Sequence, residues 1–283
     1  MSNPKCSIGV LGHGRFGSMA INTLSRDFPV RWYDPNKTGG STLQETLAAD
    51  VVVLCVPISK IPEICRQISP SLRPGQLIVD TCSVKMRPIA WLLETLPQAV
   101  DILGTHPLFG PDSAKQGIAG LKIAVCPVRG NRIGPIRDYL ETLGLEVIET
   151  TPEEHDREMA QTQAVFHVIS RAIQGAGLNR RRISTPGPEQ FFDLLYSLQN
   201  DSPQLFLDLE SHNPYAASVR RRLIQALIDL DEQISEGEGR KLQVEGRKSP
   251  VESRKFKVKG RKSKVESRKS KANSKVRSRG RKS

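Results

Sequence analysis

The chain has 283 residues, which is enough for two domains that each bury a core of their own. Its formal charge of +12 would suit a nucleic-acid-binding protein, but residues 240–283 hold 19 of the 42 Lys and Arg residues and 3 of the 30 Asp and Glu residues. The rest of the chain, with 23 basic and 27 acidic residues, is mildly acidic, so all the excess positive charge lies in one tail.

The five cysteines are scattered and form no C-x-x-C pair; they are Cys6, Cys55, Cys65, Cys82 and Cys126. This usage is typical of reduced thiols in a cytoplasmic protein rather than of a disulfide framework or a zinc site. The N-terminal residues lack the apolar region of a signal peptide, and no run approaches the roughly 20 apolar residues that span a bilayer. We therefore expect a cytoplasmic location, no membrane association and no metal.

Short apolar runs alternate with amphipathic stretches through the first half of the chain. They predict strands at 7–11, 30–33, 51–56, 76–80, 100–103 and 122–125, and helices at 16–25, 58–68 and 86–96. Runs such as VVVLCV are apolar on both faces, as parallel strands covered by helices must be. The pattern predicts an α/β fold, with a Rossmann-type doubly wound parallel sheet in a dinucleotide-binding domain over residues 1–150.

An all-helical domain is predicted over residues 151–236. Thr151, Pro152 and Glu154 supply a cap residue, a proline at the first helical position and a carboxylate at the third. The predicted helices span about 151–175, 188–198 and 203–234, the last with a break near Asn213.

The segment from 237 to 283 is rich in Lys and Arg and offers almost nothing apolar to bury. GRKS and VESRK recur in it with a 14-residue step, which matches no packing unit. It is predicted to be a disordered tail. Its cations would bind nucleic acid only non-specifically, because Phe256 is its only aromatic residue.

The strongest local pattern is GHGRFG at residues 12–17, directly after the first predicted strand and at the start of the first helix. Glycines here allow a tight turn, a close backbone approach to a pyrophosphate and close packing of helix on strand. The helix N-terminus favours the anion. The pattern predicts a dinucleotide cofactor bound by Gly12, Gly14, Arg15, Phe16 and Gly17.

The cofactor's ribose is expected to bind Asp34, which lies 20 residues after Gly14 at the end of the second predicted strand. A carboxylate there repels a 2′-phosphate, so NAD is favoured over NADP. Arg31 and Lys37 lie close by and leave NADP open.

Two further loops are predicted to reach the carboxyl edge of the sheet, where such folds bind ligands. His106, in THPLFGPD at residues 105–112, suits a general base because its unperturbed pKa is near neutral. Ser83, in DTCSVK at residues 80–85, could hydrogen-bond a substrate alcohol or orient His106. Cys82 is interpreted as a packing residue rather than a nucleophile.

The helix after Thr151 carries His155, Met159, Gln163 and His167 at four-residue spacing, so consecutive members are neighbours on one face. Gln163 and His167 stand among apolar residues and are predicted to face a polar cleft. His155 is interpreted as a local cap or hydrogen-bonding residue.

Together these segments resemble the prephenate/arogenate dehydrogenase family of tyrosine biosynthesis over about residues 6–234. The resemblance rests on GxGxxG, DTCSVK, THPLFGPD, and EHD at residues 154–156 followed by Gln163 and His167, in the family's order. It implies a nucleotide-binding domain, a helical substrate and dimerisation domain that makes a homodimer, and a cleft between them.

The resemblance also implies the chemistry, an NAD(P)-dependent oxidative decarboxylation of arogenate or prephenate. His106 would take the proton of the ring C4 hydroxyl as hydride leaves C4, and Ser83 would hydrogen-bond that hydroxyl and His106. Gln163 and His167 match positions that line the substrate pocket, and Lys85 matches a lysine with a supporting role there.

One departure from the family bears on the substrate. Prephenate-specific bacterial relatives carry an arginine in the segment matching residues 191–200, which has none here. Asp201 follows instead and resembles the acidic residue of arogenate-preferring members. Its carboxylate could pair with the ammonium group of arogenate, so arogenate is favoured.

Two alternatives remain from the sequence. The same nucleotide-binding fold serves β-hydroxyacid dehydrogenases and imine reductases, which lack the segment around His106. A non-enzymatic polyanion binder, acting through the basic tail, is the second.

Overall fold

The computed structural model describes residues 6–198 and 201–245, without the side chains of residues 197 and 237–245. The strands are β1 (Ile8–Leu11), β2 (Val30–Tyr33), β3 (Val51–Leu54), β4 (Leu77–Asp80), β5 (Asp101–Pro107), β6 (Lys122–Arg129) and β7 (Glu146–Glu149). They form one seven-stranded sheet in the order β2-β1-β3-β4-β5-β6-β7. The predicted Rossmann-type α/β fold, followed by a helical region, is confirmed.

Five helices accompany the sheet: α1 (Arg15–Leu24), α2 (Leu43–Leu47), α3 (Ile61–Ile68), α4 (Met86–Thr95) and α5 (Ile133–Thr142). Five more follow the last strand: α6 (Pro152–Met159), α7 (Val165–Gly175), α8 (Pro186–Ser197), α9 (Pro203–His212) and α10 (Ala216–Glu245). A π-helical segment, Ala160–Ala164, joins α6 to α7.

Apolar side chains lie on both faces of the central strands because both faces of the sheet are covered. In β4, Leu77 and Val79 belong to one buried cluster, and Ile78 between them belongs to the other. Successive side chains of a strand point to opposite faces, so an unbroken apolar run supplies two cores at once.

The order of the strands places the ligand-binding edge. β1 pairs in parallel with both β2 and β3, so the chain crosses to opposite sides of β1 and leaves a crevice at its carboxyl end. β3, β4 and β5 continue the parallel pairing. The turns after β1 and β4 and the end of β5 therefore meet at one edge.

The sheet also holds elements that the sequence did not predict. β6 pairs with β5 in antiparallel orientation, whereas a fully parallel sheet was expected. β7, α2 and α5 were not predicted. β7 is partly exposed at the sheet edge and α5 has no buried residue, so both lack the strong apolar pattern of the central elements.

The helical region begins as predicted. The Thr151 hydroxyl accepts the Glu154 N–H, and the Glu154 carboxylate accepts the Thr151 N–H, which completes a capping box with Pro152 at the first position. The helix is interrupted at Asn213, between α9 and α10, also as predicted.

α10 continues to Glu245 and enters the segment that was predicted to be disordered from residue 237. Residues 240–245 are mostly good helix formers and extend a helix that is already nucleated. The rest of the predicted tail, residues 246–283, lies outside the described residues. By its contacts the chain forms one compact unit to Asp231 and a second from Glu232, so the boundary at residue 150 stays a prediction.

The helical region packs on the same core as the sheet. Leu209 of α9 is fully buried in the cluster that contains Leu54 and Ile78. Asp208 accepts hydrogen bonds from the backbone and hydroxyl of Ser59, and the Asn213 amide donates to the Asp156 carbonyl. These bonds tie α9 and the start of α10 to the sheet edge and to α6.

No helix among the described residues is long and apolar enough to cross a membrane. All five cysteines are free thiols, and Cys65, Cys82 and Cys126 are buried.

Candidate functional site

The glycine turn after β1 has the geometry that a dinucleotide requires. Gly12 has φ +99°, and a Cβ on it would lie 2.2 Å from the Cys55 carbonyl oxygen. A Cβ on Gly17 would lie 2.1 Å from the Gly12 carbonyl oxygen, so helix and strand pack too closely for a side chain. A Cβ on Gly14 would meet no protein atom, so the backbone there is open to a ligand.

The start of α1 supplies backbone hydrogen-bond donors beside Gly14. Gly14 caps α1 without a side-chain hydrogen bond, so the N–H groups of Phe16 and Gly17 have no acceptor within the helix. Donors and helix dipole together favour a pyrophosphate. The Arg15 guanidinium forms an ion pair with Asp112 at 2.6 Å and so links this turn to the loop after β5.

Asp34 lies directly after β2, beside the glycine turn. Its carboxylate accepts the N–H of His13 at 2.8 Å and of Asn36 at 2.9 Å. Although partial burial opposes ionisation, these two donors and the charge of Lys37 lower the pKa of Asp34 below its ordinary value. A negative charge is thus held where the ribose of a cofactor would bind. The residues of this crevice fit the nicotinamide dinucleotide expected from the sequence.

His106, near the end of β5, is the first member of a buried chain of hydrogen bonds. Its Nδ1 lies 2.9 Å from Nε2 of His155, and Nδ1 of His155 lies 2.8 Å from Oδ1 of Asp156. The Asp156 carboxylate also accepts the N–H of Lys85 at 2.7 Å and of Met86 at 2.9 Å. These donors belong to the start of α4, so α4 holds the far end of the chain of bonds.

This arrangement assigns the protons. A carboxylate only accepts, so His155 donates from Nδ1, and a neutral His155 then accepts at Nε2. His106 then donates from Nδ1, which leaves a lone pair on its Nε2. Within the described part of the chain no side chain or backbone group bonds that nitrogen. Burial, and then the neighbouring His155 and Lys85, hold the pKa of His106 well below its ordinary value. His106 is therefore a neutral base with its free nitrogen fixed.

Lys85 precedes α4 and lies close to His106 through its contact with Thr105. Its side chain is fully buried, its ammonium group is paired with Asp80, and it donates to the Thr105 carbonyl at 2.5 Å. The ion pair occupies the charge of Lys85 and fixes the backbone next to His106, and the predicted role of Lys85 in substrate binding stays a prediction.

Ser83 lies in the loop between β4 and α4 and is partly exposed. No hydrogen bond joins it to His106, whose Nδ1 bonds His155 instead. Its predicted contact with the substrate hydroxyl stays a prediction. Burial, and then the nearby Asp80, raise the pKa of the neighbouring Cys82 thiol well above its ordinary value, which supports a packing role.

The helical region contributes a second polar group. His167 is buried, and its Nε2 lies 3.7 Å from the Asp201 carboxylate. Burial raises the pKa of Asp201, although His167 and Arg15 oppose this shift. Oε1 of Gln163 is buried and has no partner among the described residues. Gln163 lies in the π-helical segment, a distortion that is frequent at functional sites.

Sequence reasoning missed two features of this site. His155 was assigned a local role and Asp156 none, yet both are buried and link His106 to α4. The available signal was a histidine directly followed by an aspartate near the start of a predicted helix. Arg171, one turn beyond His167, was not considered, although it continues the four-residue spacing.

Comparisons with known proteins agree with this geometry. A family model described as prephenate dehydrogenase, nucleotide-binding domain, matches residues 36–148, and one described as TYRAAT1-like, C-terminal domain, matches residues 172–245. Arogenate dehydrogenase 2, chloroplastic, of Arabidopsis thaliana is 31% identical over 252 residues, which cover 80% of this chain and 69% of that protein.

One further curated protein and one solved structure are also similar to this chain. Arogenate dehydrogenase 1, chloroplastic, of Arabidopsis thaliana is 29% identical over 251 residues, which cover 81% of this chain and 39% of that protein. The crystal structure of prephenate dehydrogenase from A. aeolicus, in complex with hydroxyphenyl propionate and NAD+, has a TM-score of 0.66 at 20% identity and covers 86% of this chain and 95% of that one. This last likeness shows the shared fold.

Proposed function

Because this chain belongs to the prephenate/arogenate dehydrogenase family, we propose that it oxidises and decarboxylates arogenate, with His106 as the general base. The reaction class, an NAD(P)-dependent oxidative decarboxylation in tyrosine biosynthesis, follows from the family. The observation that carries the role of His106 is its open Nε2, held at the carboxyl edge of the sheet by His155 and Asp156.

We infer the following proton transfers, which the position of His106 Nε2 supports. A bound nicotinamide would accept the hydride from ring C4. His106 Nε2 takes the proton of the C4 hydroxyl, so that the oxygen becomes a carbonyl. Loss of CO₂ from C1 then returns an electron pair to the ring, which becomes aromatic, and His106 can give its proton back to the phenolate oxygen. Asp156 stabilises the transient His106 cation through His155.

Asp34 supports a preference for NAD. Both of its carboxylate oxygens accept backbone N–H groups, and these bonds fix a negative charge at the end of β2. That charge can accept the ribose hydroxyls of NAD and repels the 2′-phosphate of NADP.

Asp201 supports the choice of arogenate over prephenate. Its carboxylate is half-buried beside His167, so an ammonium group would find a partially desolvated partner there. Prephenate carries a keto group at that position and would leave Asp201 without a cation. We expect Asp201→Asn to reduce kcat/KM for arogenate by about 10-fold or more and to leave that for prephenate unchanged or higher.

A homodimer through the helical region is also proposed. Large apolar side chains on α10 are exposed in the single chain, and Ile224, Leu227 and Ile228 recur at helical spacing. A second copy of the chain would cover this stripe. Sedimentation equilibrium tests it: Leu227→Glu should yield a monomer, and a wild-type monomer would contradict it.

The test of the function follows reduced nicotinamide at 340 nm with arogenate and prephenate, each with NAD and with NADP. We expect the highest kcat/KM with arogenate and NAD, and a loss of at least about 100-fold in His106→Asn. If the protein instead reduces the cofactor with β-hydroxyacids, or if His106→Asn keeps the wild-type rate, the proposal is wrong.

A further inference from the structure

Three polar atoms around α7 are buried without a partner among the described residues: Oε1 of Gln163, Oγ of Ser170 and Nε of Arg171. Buried polar groups in folded proteins are nearly always hydrogen-bonded, so three orphans within nine residues indicate a place for a polar ligand. Gln163, His167 and Arg171 are spaced by four residues and share one side of the helical run. Arg171 therefore belongs to the polar group that contains His167 and Asp201.

The guanidinium of Arg171 is held in place and remains available. Its central carbon lies 4.7 Å from the centre of the Phe206 ring in α9, so the flat face packs on an aromatic surface. Packing of this kind leaves the N–H groups at the edge of the guanidinium free to bind a carboxylate. Its charge acts on both His167 and Asp201, yet the described chain supplies it with no ion pair.

We propose that Arg171 and Asp201 together recognise the α-amino-acid end of the substrate, Arg171 by binding the side-chain carboxylate and Asp201 by binding the ammonium group. The charge of Arg171 acts on Asp201, and the two residues form no ion pair with each other in the described chain. This inference rests on the proposed function, because it takes arogenate as the substrate. It adds Arg171 of α7, which would bind the substrate carboxylate, to Asp201, which would bind the ammonium group.

The pair can be tested with three compounds that share a phenol ring. L-Tyrosine carries both charged groups, tyramine only the ammonium group, and 3-(4-hydroxyphenyl)propionate only the carboxylate. Calorimetric titration of the NAD-loaded protein measures each affinity. Arg171→Gln should lower the affinity for L-tyrosine and for the propionate by about 10- to 100-fold and leave the affinity for tyramine unchanged. Asp201→Asn should lower the affinity for L-tyrosine and tyramine and leave that for the propionate unchanged.

Two further variants serve as controls for the charge of Arg171 and for the shape of its guanidinium group. Arg171→Lys retains the charge and loses the two-pronged donor, so its affinities should fall between those of wild type and Arg171→Gln. Arg66→Gln removes an equal charge from an exposed position on α3 and should change none of the three affinities.

The outcomes separate this inference from the function itself. If Arg171 only packs on Phe206, Arg171→Gln lowers the Tm and leaves all three affinities unchanged, which would overturn the inference. Turnover of arogenate with an unchanged KM in Arg171→Gln would overturn it as well. If the wild type turns over neither arogenate nor prephenate, the proposed function fails, and the titrations alone then decide whether the pair binds an amino acid.

Discussion

Replacing Asp156 with asparagine tests whether the chain of hydrogen bonds behind His106 assists the reaction. The asparagine has nearly the same shape but one oxygen instead of two. It cannot accept from His155, Lys85 and Met86 in the observed pattern, because its NH₂ group must face one of these donors. The substitution therefore removes the negative charge and releases the tautomer of His155.

The size of the effect follows from the distances. The hydrogen bonds of 2.8 Å and 2.9 Å on either side of His155 place the Asp156 carboxylate roughly 8 Å from His106 Nδ1. At that separation and an effective dielectric constant of about 20, a unit charge stabilises the His106 cation by about 2 kcal/mol. The kcat should fall about 30-fold, with a further loss if His155 adopts the wrong tautomer.

The assay is steady-state reduction of the cofactor across pH, with KM and kcat measured separately. We expect the loss in kcat, since Asp156 is buried behind His106 and does not face the substrate. Asp208→Asn is the matched control, because Asp208 is also a buried, hydrogen-bonded carboxylate but bonds Ser59 and Gln204 instead. A folded Asp156→Asn variant with wild-type kcat would refute the reasoning.

Three other predictions concern the cofactor turn, the ion pair and pH. Gly14→Ala adds a Cβ that meets no protein atom, so the Tm should stay the same while the KM for the cofactor rises about 10-fold. Gly12 has a positive φ, so Gly12→Ala should lower the free energy of unfolding, measured by thermal unfolding, by about 1–3 kcal/mol. Lys85→Met leaves the buried Asp80 carboxylate unpaired and should lower the free energy of unfolding, measured in urea, by about 3–5 kcal/mol. Adding Asp80→Asn to the same chain should recover much of this loss. Because the pKa of His106 is lowered on folding, the unfolded chain binds its proton first as pH falls below about 6.5; Tm should decline there, while kcat stays level until His106 itself is protonated.

The sequence predicted the parts of the fold that depend on local pattern. The central strands were found because an unbroken apolar run of four to six residues is typical of a strand buried on both faces. β7 was missed because its residues Glu146 and Glu149 are exposed and only the two between them are partly buried. The antiparallel course of β6 depends on its pairing with β5, which no local pattern encodes.

The parts of the site that lie at the ends of strands could be predicted from the sequence. The glycine turn directly follows β1 and His106 lies near the end of β5, so the topology of the sheet places both at its carboxyl edge. The contact between His106 and His155 joins residues 49 positions apart and depends on how α6 packs against β5. The ion pair between Lys85 and Asp80 was missed for a similar reason, since only the folded chain brings the ammonium group to that carboxylate.

The most direct test of the account is a single turnover of NAD-loaded enzyme with arogenate, quenched and analysed for tyrosine, CO₂ and reduced cofactor. The account predicts equal amounts of all three in the wild type and none in His106→Asn within the same time. Reduced cofactor without tyrosine, or equal yields from wild type and His106→Asn, would contradict it.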